Sequence, residues 1–88
     1  MPNVQTSPRM ERILIRAAEI GRAHTGQAFA GTENVLRAMI EDDGGIAANV
    51  LKELGVAERV AARLDEIMAS DGYRTPSTKV HPTPPAAQ

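Results

Sequence analysis

Apolar residues recur at three- and four-residue spacing from Ser7 to Gly72, and no segment of the chain alternates apolar with polar residues. The first pattern is typical of half-buried helices, whereas strands with one buried face need the second. Capping residues and glycines divide this stretch into four helices. Their expected ranges are Ser7 to about Gly26, Thr32 to about Asp43, Ile46 to Leu54 and Ala57 to Ser70. The sequence therefore predicts an all-α fold, a compact bundle of about four to five short helices.

Each helix has one apolar stripe that is expected to face the core. In the first helix the stripe is Met10, Ile13, Leu14, Ala17, Ala18 and Gly21; in the second it is Val35, Leu36, Met39 and Ile40. In the third it is Ile46, Val50, Leu51 and Leu54; in the fourth it is Val60, Ala61, Leu64, Ile67 and Met68. At the helix starts, Ser7 and Thr32 are the expected caps, because their hydroxyls can accept bonds from free backbone N–H groups.

The chain of 88 residues divides into three parts. Residues 1–6 have no periodicity and form a flexible lead-in, and residues 7–72 form one small helical domain. Residues 73–88 form a tail that contains four of the six prolines. Because proline removes backbone donors and drives its preceding residue out of the helical region, the tail is expected to be extended and mobile.

Composition excludes most catalytic and cofactor chemistry. The chain has no cysteine, no phosphate-binding glycine loop, and only two histidines, His24 and His81, which are far apart. No serine or threonine has a neighbouring histidine to act as its base. We therefore expect no catalytic residue, no metal and no cofactor. Without a signal peptide or an apolar run near the ~20 residues that cross a bilayer, a soluble cytoplasmic protein without membrane contact is expected.

Three segments in the middle of the chain carry a family resemblance. Gly31-Thr32-Glu33-Asn34-Val35-Leu36 resembles the G-T-E-H-[LI]-L signature of the Clp amino-terminal repeat, with Asn34 in place of the histidine. Residues 45–51, Gly-Ile-Ala-Ala-Asn-Val-Leu, resemble its third helix, and Leu54-Gly55-Val56 its L-G-[VL] turn. The resemblance covers residues 7–72. It implies a single repeat of the kind that occurs twice in the N-domain of Clp-family AAA+ unfoldases, here without ATPase modules.

The resemblance also implies a function. Clp N-domains recruit substrates and adaptor proteins, and the ClpC type recognises phosphorylated arginine as a degradation mark. Carried over, Glu33 would pair with the guanidinium, and Thr32 and Ser7 would contribute to the phosphoryl site, at a junction between the start of the first helix and the Thr-Glu turn. The alternative is that Ser7, Thr32 and Glu33 are only helix caps, which also explains all three.

A lone repeat is expected to expose the surface that a second repeat would cover. We therefore expect a homodimer or pairing with another Clp repeat, with Ile15, Ile20 and Phe29 as candidate interface residues. A second interpretation is a small helical regulator that binds nucleic acid through the four arginines of the first helix, Arg9, Arg12, Arg16 and Arg22, of which the first three share one face. The uneven charge argues against it: residues 31–72 carry a net charge of −5, which repels phosphate, and the whole chain has a net charge of −1.

Overall fold

A computed structural model of the chain describes residues 4–74, and within that range it contains four α-helices and one short 3-10 helix. The α-helices are α1 (Pro8–Thr25), α2 (Thr32–Glu41), α3 (Ile46–Glu53) and α4 (Ala57–Met68), and the 3-10 helix η1 is Asp71–Arg74. No described residue lies in a strand, so the all-α prediction is confirmed. Most of the predicted lead-in and tail, residues 1–3 and 75–88, lies outside the described residues.

Short-range signals in the sequence set the helix ends. The Ser7 hydroxyl oxygen accepts a bond from the Met10 N–H (3.0 Å), as predicted for the cap of α1. Gly26 ends α1 with φ 84°, and Gly55 follows α3 with φ 74°. Both angles lie in the left-handed region, which glycine adopts without the steric cost of a Cβ atom. The predicted helix ends in these places are therefore confirmed to within a few residues.

Helices α1 and α2 run antiparallel. The start of α1 meets the end of α2, where the Arg9 guanidinium bonds both carboxylate oxygens of Asp42 at 2.7 Å. At the other end, Gly21 of α1 packs so closely on the Phe29 carbonyl that an added Cβ would overlap the oxygen. Helix α4 is antiparallel to α2, because Met68 near its end contacts Asn34 near the start of α2.

The core lies between α1, α2 and the end of α4. Its buried members are Ile13, Ala17, Ile20, Ala38 and Met68, and Val35, Met39, Leu64 and Tyr73 pack against it. The structure corrects the predicted interface role of Ile20, which is only 6% exposed. Ile13, Ala17 and Gly21 of the predicted α1 stripe are buried, and Ile20 is buried beside them at helical spacing. Leu14, which was expected in the core, is 38% exposed.

The set of buried side chains differs most from the prediction in helix α3. Its one fully buried side chain is Ala48, whereas Ile46 is 83% exposed, Val50 45% and Leu54 70%. Ala48 lies about 160° around the helix from Val50, the middle one of these three exposed residues. Because Ala47, Ala48 and Leu51 are also apolar, α3 has apolar residues on more than one side, and periodicity alone does not select the buried one. The small side chain of Ala48 allows the helix to pack closely on this side. Ile67 of α4 is likewise 41% exposed.

Candidate functional site

The start of α2 is built around a buried asparagine. Gly31, not Thr32, is the N-cap, and Thr32 is an exposed first-turn residue, so the predicted cap at Thr32 is wrong. The Asn34 side-chain oxygen instead accepts a bond from the Gly31 N–H at 2.8 Å. Asn34 has no exposed surface and is the only buried polar residue within residues 4–74. It therefore fixes the first turn of α2 from inside the domain.

Tyr73 connects this asparagine to Glu33. The Asn34 amide nitrogen donates to the Tyr73 hydroxyl oxygen at 3.0 Å and to the Met68 sulfur at 3.2 Å. The Tyr73 hydroxyl in turn donates to the Glu33 carboxylate at 2.5 Å. Burial, and then the bond to Glu33, raise the pKa of Tyr73 well above its usual range. The hydroxyl therefore stays protonated and holds the half-buried Glu33 carboxylate beside the start of α2.

His24 completes this corner of the molecule. It lies in the last turn of α1, as the sequence predicts, and its Nδ1 is 3.1 Å from the Ile20 carbonyl oxygen. Its ring meets the Tyr73 ring edge to face, with the centroids 6.4 Å apart. The ends of α1 and η1 and the start of α2 thus meet around Tyr73. Tyr73 was assigned to the tail from the sequence, and its position after a helix-ending serine and glycine gave no signal of this role.

Ser7 is at the opposite end of α1 from this corner. Gly21, near the end of α1, lies against the loop that leads into α2, and Ser7 precedes Gly21 by 14 residues, about 21 Å of helix. The structure therefore brings Thr32 and Glu33 together but does not place Ser7 beside them. The predicted junction between the two helix starts is corrected for this reason: antiparallel packing puts the start of α1 next to the end of α2.

The arginines of α1 do not form a free basic face. Arg9 is paired with Asp42, and Arg16 bonds Glu41 at 2.8 Å and Glu19 at 3.2 Å. The bond from Arg16 is the main reason that the pKa of Glu41 is lowered. Of the four arginines proposed to contact nucleic acid, Arg9 and Arg16 are ion-paired, and Arg12 and Arg22 make no ion pair within residues 4–74.

Arg37 extends the same charge network to α4. Its guanidinium lies 3.5 Å from Glu41 and 2.9 Å from Asp65. With Arg16 it lines a shallow groove of about 170 Å³ between α1, α2 and α4. Both arginines that line the groove are already paired with carboxylates, so the described lining has no unpaired arginine or lysine to bind an anion.

The sequence matches a known family over nearly its whole length. The profile of the Clp repeat (R) N-terminal domain matches residues 5–88. The chain belongs to this family. A similar curated protein is the ATP-dependent Clp protease ATP-binding subunit ClpA homolog of Trieres chinensis, 42% identical over 50 residues. That alignment covers 57% of this chain and 6% of the relative, and no solved structure gives a significant match.

Within residues 4–74 of this Clp repeat domain, two regions differ in character. One is the polar corner formed by Glu33, Asn34, Tyr73 and His24. The other is the line of exposed apolar side chains Ile46, Val50 and Leu54, here named the α3 stripe. Among residues 4–74 there is no cluster of three metal-ligating side chains. Nor is any described helix both long and apolar enough to span a membrane.

Proposed function

We propose that this Clp repeat domain is a non-catalytic protein-binding module of Clp-dependent proteolysis, which recruits or sequesters substrates or adaptors of a Clp-type unfoldase. We further propose that it recognises phosphorylated arginine on them through Glu33 and Thr32. Membership of the Clp repeat family supports the first part. So does the similarity to an ATP-binding subunit of an ATP-dependent Clp protease.

The observation that carries the second part is the Glu33 carboxylate held beside the first turn of α2. The first N–H groups of a helix have no acceptor inside the helix, and the positive end of the helix dipole attracts phosphoryl oxygens. A carboxylate pairs with the planar guanidinium through charge-assisted bonds. Glu33 is partly exposed, and one of its oxygens is bonded to Tyr73, which fixes its orientation. A phosphoarginine side chain needs a carboxylate for its guanidinium and free N–H groups for its phosphoryl oxygens, a few ångströms apart.

Thr32 is suited to the phosphoryl end of such a ligand. It is the first residue of α2, it is exposed, and it does not cap the helix, so its hydroxyl is available to a phosphoryl oxygen. Ser7 has no part in this proposal, since its hydroxyl caps α1 and lies about 20 Å away along that helix. The ligand would therefore contact the start of α2 alone.

The test is an amide-resolved NMR titration of the whole chain with phosphoarginine, with unphosphorylated arginine and inorganic phosphate as separate probes. We expect shifts at Thr32 and Glu33 with phosphoarginine that neither probe reproduces at the same concentration. Glu33→Gln should weaken binding at least ~10-fold, because it removes the charge but keeps an oxygen that accepts from Tyr73. Glu58→Gln is the matched control, since Glu58 is the first-turn acid of α4.

Two results would count against the proposal. One is the absence of shifts at Thr32 and Glu33 at millimolar phosphoarginine. The other is an equal loss of binding in the Glu33→Gln and Glu58→Gln variants, which would indicate attraction to any acidic helix start. In either case Glu33 and Thr32 would be first-turn residues whose role is confined to the fold.

A further inference from the structure

The α3 stripe is an oblique apolar ridge on the outside of the domain. Ile46, Val50 and Leu54 follow one another at intervals of four residues, so each is rotated about 40° around the helix from the one before, over a length of about 12 Å. Single exposed apolar residues are ordinary on protein surfaces, but three in register on one helix form a contiguous patch. Such a patch is typical of a surface that contacts another chain.

The described fold holds α3 mainly through side chains outside the stripe, since Ile46 and Leu54 are mostly exposed and Val50 is about half covered. The helix is only eight residues long and is too short to be stable alone, so its contacts with the domain must hold it. Those contacts are on other sides: Ala48 is buried, Leu51 is half-buried, and the Lys52 ammonium bonds Asp43 at 2.5 Å. Most of the surface of Ile46 and Leu54 and about half of that of Val50 therefore remain exposed.

We propose that the α3 stripe is the contact surface between two copies of this chain, which pair through antiparallel α3 helices about a two-fold axis at Val50. The stripe is symmetric about Val50, with an apolar residue four positions to either side. In an antiparallel pair, Ile46 then meets Leu54 of the partner subunit, and Val50 meets its own equivalent. A two-fold contact requires a self-complementary surface of this kind.

The charges along α3 agree with this arrangement. Antiparallel pairing about Val50 puts Glu53 beside Ala47 of the partner subunit, so the two glutamates do not face each other. Lys52 is already paired with Asp43 of its own chain, and the remaining polar neighbour, Asn49, is uncharged. No like charges oppose one another across the seam, and this absence matters because such a juxtaposition would prevent association.

The area of the stripe sets the strength of the contact. The exposed parts of its three side chains amount to roughly 300–400 Å², the size of a functional patch on a monomer. Each partner in a standard stable complex contributes about 800 Å². We therefore infer a weak, reversible dimer that is populated at high micromolar to millimolar concentration. This inference is independent of phosphoarginine recognition, which uses the start of α2.

The experiment is a dilution series of the whole chain from about 1 mM to about 10 μM, followed by sedimentation and by NMR shifts. We expect the mean mass to fall on dilution, with shift changes concentrated in residues 46–54. Val50→Glu should abolish the association, because it brings two carboxylates together on the axis. Ile15→Glu is the matched control: Ile15, which the sequence offered as an interface candidate, is 64% exposed on α1 and outside the α3 stripe, so under this proposal its variant should still associate.

A charge exchange tests the two-fold axis itself. Val50→Glu and Val50→Lys should each be monomeric alone, and an equimolar mixture should associate again, because only opposite charges then meet at position 50. The proposal is overturned if the wild-type mass does not depend on concentration, or if Val50→Glu associates as the wild type does. It is also overturned if the mixture stays monomeric. A folded far-UV circular dichroism spectrum of each variant separates these results from unfolding.

Discussion

Replacing Asn34 should destabilise the fold strongly, because this side chain is polar and has no exposed surface. Its side chain accepts from the Gly31 N–H and donates to the Tyr73 hydroxyl and to the Met68 sulfur. Replacement by alanine removes all three bonds at once. It leaves the partly buried Gly31 N–H and Tyr73 oxygen without these partners, and a polar group shielded from water is costly to leave without a partner.

The size of the effect follows from these contacts. Three hydrogen bonds at about 1 kcal/mol each predict a loss of about 3 kcal/mol in the free energy of unfolding. Alanine is the better helix former by about 0.5 kcal/mol, which leaves about 2.5 kcal/mol. For a domain of this size each kcal/mol lowers the midpoint of thermal unfolding by about 4–8 °C. The Asn34→Ala variant should therefore melt about 10–20 °C below the wild type.

Urea unfolding followed by far-UV circular dichroism gives the measurement, and Asn49→Ala gives the control. Asn49 lies on α3 and is exposed, so its replacement has the same effect on helix propensity without burying or exposing a polar group. The difference between the two variants isolates the buried network around Asn34. If that difference is below about 1 kcal/mol, the hydrogen bonds of Asn34 do not hold this corner together and the reasoning fails.

Two further predictions concern residues that contact the same corner. Gly21→Ala should lower the free energy of unfolding by about 1–3 kcal/mol, because the new Cβ meets the rigid Phe29 carbonyl. The control is Gly72→Ala, whose new Cβ has nothing within 4 Å and should change the free energy of unfolding by less than about 0.5 kcal/mol. Urea unfolding measures both values. Tyr73 binds its proton more tightly in the folded than in the unfolded chain, so its contribution to stability is complete below about pH 10 and is lost as the pH rises above that value. Because the chain has a single tyrosine, an ultraviolet titration of tyrosinate reads this ionisation directly, and a midpoint equal to that of the urea-unfolded chain would contradict the prediction.

Local signals made the helices predictable from the sequence. Ser7 before Pro8 begins α1, and Gly26 and Gly55 follow the ends of α1 and α3. Each of these residues acts through its own hydroxyl or its own backbone angles, so its effect does not depend on the rest of the fold. The family resemblance was predictable for a similar reason, since it depends on short segments in a fixed order.

Which side of each helix is buried was less predictable. Ile46, Val50 and Leu54 have the spacing of a buried stripe, yet they are exposed because α3 packs through Ala48. Periodicity shows which residues share a face but does not show which neighbour covers it. On α1 the same limitation misplaced Ile20, which lies beside Ile13 and Ala17 of the predicted stripe and is buried with them.

The polar corner was beyond prediction because its members are far apart in the chain. Asn34 and Tyr73 are 39 residues apart, and no local pattern links an asparagine in a first turn to a tyrosine beyond the last α-helix. The resemblance, however, marked Asn34 as the position where this chain departs from the Thr-Glu-His signature. The structure gives that departure a physical meaning: Asn34 bonds Tyr73, and Tyr73 orients Glu33. The residue that differs from the family signature thus controls the carboxylate proposed to bind the ligand, so binding at Glu33 should depend on Asn34 even though Asn34 itself is buried.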